Sequence, residues 1–152
     1  MKTNVLILID IQKDFCPGGA LAVEDGDKII PVVNRIIYQF PHVVATKDWH
    51  PEDHVSFAAS HEGHEPFDTI YVDGLRQELW PPHCMAGTEG AEFHDNLDIR
   101  KLAAILHKGT KSYIDSYSAF FENDHKTSTG MGDYLKGLGL KSVFLAGLAT
   151  DV

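Results

Sequence analysis

Two short stretches carry the residue types of a metal centre: Asp48-Trp49-His50 and Trp80-Pro81-Pro82-His83. In extended backbone, residues i and i+2 project to the same side, so Asp48 and His50 can meet one ion while Trp49 points away. His83 follows two prolines that stiffen its approach and offers a third ligand. Two imidazoles and one carboxylate leave coordination positions open, as catalytic rather than closed structural sites do. Zinc suits this set, and so do iron and manganese. The same tripeptide also occurs by chance on polar loops. His54, four residues past His50, is a ligand, a supporting partner or a turn residue.

A second set of reactive residues stands at the ends of apolar runs. Val5 to Ile9 ends at Asp10, Val43 to Thr46 ends at Lys47-Asp48, and Ala103 to Leu106 leads into His107-Lys108. Asp10 reads either as a solvated strand-end acid or as a partly desolvated carboxyl, whose raised pKa suits proton transfer. Lys108 reads either as a surface lysine or as a cation that lowers the pKa of a nearby nucleophile. Phe15, Trp80 and Tyr117 are core aromatics or the flat walls of a slot for a planar ring. Cys16 and Cys84 have the usual reading of small buried hydrophobes. After the run Ser142 to Ala146, Thr150-Asp151 are helix-start residue types, and the N–H groups of a helix N-terminus suit a thiolate or a developing negative charge.

The elements that must position these residues alternate. Val5 to Ile9 is uninterrupted and rich in branched aliphatics, the composition of a strand buried on both faces of a parallel sheet. A helix follows Asp25 to Asp27, with Ile29, Val33, Ile36 and Ile37 on one face and Pro31 tolerated near its first turn. The runs at 43–46, 103–107 and 142–146 read as strands, and 130–138 as a helix. Asp48 to Asp98 is rich in Pro, Gly and His and reads as a long, mostly irregular site loop. The pattern predicts an α/β fold, a three-layer doubly wound parallel sheet, forming one domain over 1–152 and lacking its final crossover. In such sheets ligands bind outside the carboxyl ends of the strands, so Asp10, Asp48, Lys108 and the turn at Gly147 can converge there.

Composition narrows the partners. A formal charge of -9 over 152 residues argues against a nucleic-acid backbone. No apolar stretch approaches the roughly 20 residues that span a bilayer, and Met1 to Asn4 leads into a strand without a secretory pattern. A cytoplasmic location and a small-molecule partner are the expectations, with no membrane and no nucleic acid; a homo-oligomer remains open. Two cysteines make no disulfide framework.

Six ordered motifs resemble those of the isochorismatase-like cysteine hydrolases: D-I-Q-K-D-F at 10–15, D-W-H at 48–50, W-P-P-H-C-M-A-G-T at 80–88, H-K-G at 107–109, D-S-Y-S-A-F at 115–120 and G-L-A-T-D at 147–151. W-P-P-H-C together with D-x-H resembles the metal-containing nicotinamidase branch, whose members hydrolyse nicotinamide to nicotinate and ammonia and accept pyrazinamide. The resemblance implies Asp10 as general acid and base, Lys108 as an orienting cation, and Asp48, His50 and His83 on one divalent metal with waters. It implies a cis peptide between Leu148 and Ala149, presenting the Ala149 N–H to an oxyanion. It places the nucleophilic cysteine immediately after Val152, a position that neither Cys16 nor Cys84 matches. A ligand-binding pseudoenzyme and a different amidase of the superfamily are the competing expectations.

Overall fold

The computed structural model describes residues 3–148 and 150. The continuous apolar run near the N-terminus forms β1 (Asn4–Ile9), in which Val5 to Ile9 are all buried. A strand without alternation cannot face water on either side, so it takes a central place. It lies between β2 (His42–Asp48) and β6 (Ser142–Gly147), and β2 in turn pairs with β5 (Ala104–Lys108). All three pairings are parallel, in the order β5-β2-β1-β6.

Alternate residues of β1 face opposite layers. Leu6 and Leu8 pack with Val43 and Ala45 against Ile30, Val33 and Ile37 on α1 (Ile30–Ile36) and its short 3₁₀ extension. Val5, Ile7 and Ile9 pack with Val44 against Met131 and Leu135 of α2 (Met131–Gly137). Helices on both faces of a parallel sheet make the expected three layers. Pro31 lies in the first turn of α1, where its missing N–H breaks no helical bond.

Register supplies the chemistry. Asp48 pairs with Lys108 across β2 and β5, and Ile9 pairs with Gly147 across β1 and β6. The strand containing Lys108 is displaced by one residue from the expected 103–107, so Lys108 belongs to the sheet and its side chain is held by the ladder. From β1 the chain runs outward to β2 and β5, then returns to the other side of β1 as β6. The strand order therefore reverses between β1 and β6, where open α/β sheets form their ligand crevice.

The expectation of a mostly irregular segment from Asp48 to Asp98 missed a hairpin. Antiparallel β3 (Thr69–Val72) and β4 (Leu75–Glu78) are joined by Asp73 and Gly74, both with positive φ, at 51° and 80°. Asp-Gly between short alternating runs is a strong hairpin signal, and here it was masked by the surrounding Pro and His residues. No helix among the described residues is long and apolar enough to cross a membrane.

The central strand should dominate stability. Ile7 is fully buried and Tyr71, on the hairpin, is 74% exposed. Chemical denaturation should show Ile7→Ala costing about 2–5 kcal/mol and Tyr71→Ala within about 0.5 kcal/mol of the parent.

Candidate active site

Asp10 leaves β1 in a left-handed conformation, φ 48°, which costs a non-glycine residue free energy and turns its carboxylate into the crevice. Thr46 Oγ1, from the neighbouring strand, donates to Asp10 Oδ1 at 2.6 Å and accepts the Asp10 N–H at 3.3 Å. Lys108 Nζ lies 2.9 Å from Asp10 Oδ2 and also donates to Asp48 Oδ1. The result is a buried carboxylate–ammonium–carboxylate chain across three strand ends. Burial raises the Asp10 pKa despite the opposing pull of Lys108. Burial acts to lower that of Lys108, but Asp10 and Asp48 outweigh it and hold the ammonium above its ordinary range. Asp48 is held below the ordinary carboxylate range, because Lys108 and His50 together outweigh its burial.

Asp48 has a second face. One ligand atom from each of Asp48, His50 and His83 lies within 4.8 Å of the others, and all three residues are buried. Asp48 Oδ2 is 3.7 Å from His50 Nε2 and 4.0 Å from His83 Nε2. The remaining ring nitrogens are occupied: His50 Nδ1 donates to the Gly109 carbonyl and His83 Nδ1 to the Pro81 carbonyl, both at 2.8 Å. A carbonyl only accepts, so both protons sit on Nδ1 and both Nε2 lone pairs point toward Asp48. Such a donor set fits a divalent transition metal. Gly109 is required here: at its φ of +60° a Cβ would lie 2.3 Å from His50 Cε1.

Buried polar side chains fix the backbone of the ligands, and sequence reading overlooked them. Gln12, fully buried, donates to the Asp48 carbonyl at 2.7 Å and to the Ala91 carbonyl at 2.8 Å, while its Oε1 accepts the Asp48 N–H at 2.8 Å. Asp14 accepts the Cys84 N–H at 2.7 Å. The His50 N–H in turn donates to the Cys84 carbonyl at 3.0 Å, so the two ligand-bearing loops are joined backbone to backbone. The signal for Gln12 and Asp14 was their place between Asp10 and Phe15, immediately after the buried strand.

These groups open on one cavity of about 330 Å³, lined by Asp10, Asp48, His50, His83, Lys108, Phe15, Trp80 and Tyr117 together with Leu21, Ala22, Val23 and Asp115. Trp80 Nε1 donates to Tyr117 Oη at 3.2 Å, and the Phe15 ring sits 5.5 Å from His83. The segment 21–23 and Asp115 were not anticipated as walls. A larger cavity of about 430 Å³ lies around Ile9, Leu145, Phe120 and Glu122, but it gathers neither the ammonium chain nor the Asp–His–His group. His54 lies against His50 with ring centroids 4.1 Å apart and the planes tilted by 31°, and burial lowers its pKa to about 4. Cys16 and Cys84 are free and buried, and burial pushes both thiols up. Ala149 and the Leu148–Ala149 peptide, Asp151 and Val152 lie outside the described residues.

Comparison with known proteins identifies the family. The isochorismatase domain family matches residues 4–152. A nicotinamidase of Acinetobacter baylyi is 49% identical over 146 residues, 96% of this chain and 68% of its own length. The structure of a nicotinamidase pyrazinamidase from Acinetobacter baumanii superposes with a TM-score of 0.97 at 50% identity, covering 99% of this chain and 73% of that one. That of a pyrazinamidase from Pyrococcus horikoshii in complex with zinc has a TM-score of 0.75 at 39% identity, covering 97% and 72%. The chain belongs to the isochorismatase-like family, with nicotinamidases as its relatives.

Proposed function

We propose that this protein is an amidohydrolase that converts nicotinamide to nicotinate and ammonia, accepts pyrazinamide, and holds one divalent metal ion, zinc first among iron and manganese, on Asp48, His50 and His83. The observation that carries this reading is that the Asp10–Lys108–Asp48 chain and the Asp48–His50–His83 group open on the same cavity. The relatives named nicotinamidase and the zinc complex of the Pyrococcus enzyme support it. The proposed setting is cytoplasmic pyridine-nucleotide salvage, where a nicotinate-consuming reaction takes the product.

An amide is a poor electrophile with a poor leaving group, so the site must activate a nucleophile, hold an oxyanion and protonate the departing amine. The nucleophile assigned here is a cysteine following Val152. Asp10 accepts its thiol proton, for which a carboxyl raised by burial is better suited than an ordinary one. The thiolate attacks the carboxamide carbon, a C–S bond forms, and the carbonyl pair moves onto oxygen, toward the N–H assigned to Ala149. Collapse breaks the C–N bond, and the protonated Asp10 returns its proton to the leaving ammonia. Asp10 then takes a proton from water as that water attacks the thioester, releasing nicotinate and the thiol. Lys108 keeps Asp10 oriented through both transfers, and Phe15, Trp80 and Tyr117 flank the ring. When bound, the ion supplies a Lewis-acid partner for the pyridine nitrogen, which orients the ring.

Three measurements test this reading. Metal analysis of purified protein should find one transition metal ion per chain. His83→Ala should lose most of it, and Gly109→Ala, by driving a methyl into His50, should reduce it; unchanged content in His83→Ala removes His83 from the ligand set.

Benzamide is isosteric with nicotinamide but lacks the ring nitrogen. An unpartnered metal position should cost on the order of 2 kcal/mol, so kcat/KM for benzamide should be lower by about 30-fold. Equal values for the two amides mean that the ring nitrogen is not read.

Peptide mapping after partial modification with a thiol reagent should find the inactivating label on the cysteine following Val152. Cys16 and Cys84 should react later, because both are buried and their thiols are held in the neutral form. Inactivation that tracks labelling of Cys16 or Cys84 overturns the assignment.

A further inference from the structure

Asp115 has no part in the chemistry above, yet it is 4% exposed and lines the same cavity. Its Oδ1 accepts the Ser116 N–H at 2.8 Å and its Oδ2 accepts a proton of Gln77 Nε2 at 3.3 Å. Donors on both oxygens are the pattern of an ionised carboxylate. Among the described residues no lysine or arginine forms an ion pair with it. A buried carboxylate without a counter-charge is costly, so something else in the working protein must balance it.

Its surroundings indicate what that is. One ligand atom from each of Asp115, His50 and His54 lies within 4.8 Å of the others. His54 is fully buried; its Nδ1 accepts the Ser56 N–H at 3.3 Å and meets Ser56 Oγ at 2.7 Å. The proton of His54 therefore sits on Nε2, which has no partner among the described residues. A ring nitrogen bearing a proton cannot ligate a metal, so His54 is no ligand through Nε2, and Asp115 acts on the centre through its charge near His50. The charges complete the argument. Asp10, Asp48 and Asp115 set three negative charges against the single positive charge of Lys108, with His50 and His83 neutral as ligands require, leaving two negative charges that one divalent ion cancels.

We propose that Asp115 is the counter-charge of the metal centre: a positioning residue that does not ligate the ion but, from beside His50 and His54, sets the protein's affinity for a doubly charged cation. The proposal rests on the metal-centre reading above. It separates two carboxylates by role, Asp48 binding the ion directly and Asp115 balancing its second charge at a distance.

Titration of the metal-stripped full-length protein with cobalt(II), read by its visible d–d bands, tests this on the parent, Asp115→Asn, Asp115→Ser and His83→Ala. Asn keeps the Ser116 contact, and Ser leaves the Gln77 amide its contacts with the Glu78 carbonyl and the Tyr117 hydroxyl, at 2.7 Å and 3.4 Å, so at least one neutral variant retains its wall packing. The expected result is a dissociation constant raised at least about tenfold in the neutral variants, with band positions matching the parent, because the ligands are unchanged while one nearby negative charge is gone. His83→Ala should instead alter the bands or abolish binding. Neutral variants that bind cobalt within about threefold of the parent overturn the role of Asp115 and leave the metal centre standing. Shifted bands in Asp115→Asn make Asp115 a direct ligand and overturn the proposal in another way. A parent that takes up no cobalt, or a His83→Ala protein indistinguishable from it, removes the metal centre and this inference together.

Discussion

Among the described residues Lys108 is the one cation paired with both Asp10 and Asp48, and at 5% exposure it has almost no water of its own. Two carboxylates so placed would repel one another and would each lose their hydration. The ammonium between them turns that repulsion into a chain in which every charge has a partner. Removing Lys108 would leave two buried carboxylates facing one another without a counter-charge, which typically costs several kcal/mol, so both acids depend on the one ammonium. The parallel register of β1, β2 and β5 exists in functional terms to bring these three side chains together.

That unit constrains what surrounds it. Asp48 uses one oxygen for Lys108 and turns the other toward His50 and His83, so the direction of the ion pair sets the direction of the ligand group. Around it the backbone is held by side chains rather than by regular structure: Gln12 clamps Asp48, Asp14 holds Cys84, and the Gly109 carbonyl sets the tautomer of His50. The positive φ values of Asp10 and Cys84, 48° and 45°, occur where these clamps over-determine the chain. Such conformations persist only where surrounding contacts compensate for them.

The cavity divides its labour by wall. Charged groups come from the strand ends and from Asp115 after β5, while the apolar surface comes from Phe15, the segment 21–23, Trp80 and Tyr117. The Gln77–Tyr117–Trp80 contacts tie the aromatic side to the β3–β4 hairpin, which gives that otherwise peripheral element a part in shaping the slot.

Sequence alone determined the central strand, the alternation that yields a parallel sheet with helices on both faces, and the reactive residues Asp10, Asp48 and Lys108 at strand ends. Those signals are local: unbroken aliphatic runs, turn residues, and a charge just past each run. The D-W-H and P-P-H stretches were legible for the same reason. Tertiary structure alone decided the register that sets Asp48 beside Lys108, the carbonyl partners that expose Nε2 of His50 and His83, the clamp by Gln12, and the convergence of Asp115 with His50 and His54. Apart from the local His83–Pro81 contact and the His50–His54 neighbours, these join residues tens of positions apart, and a one-dimensional pattern has no term for such pairings. The Asp73-Gly74 hairpin is the exception, since its signal was local and the Pro- and His-rich neighbourhood hid it. Whether a buried acid has a cation, another carboxylate or an imidazole beside it is settled by distance in space, and distance governs both Coulomb energy and hydrogen bonding.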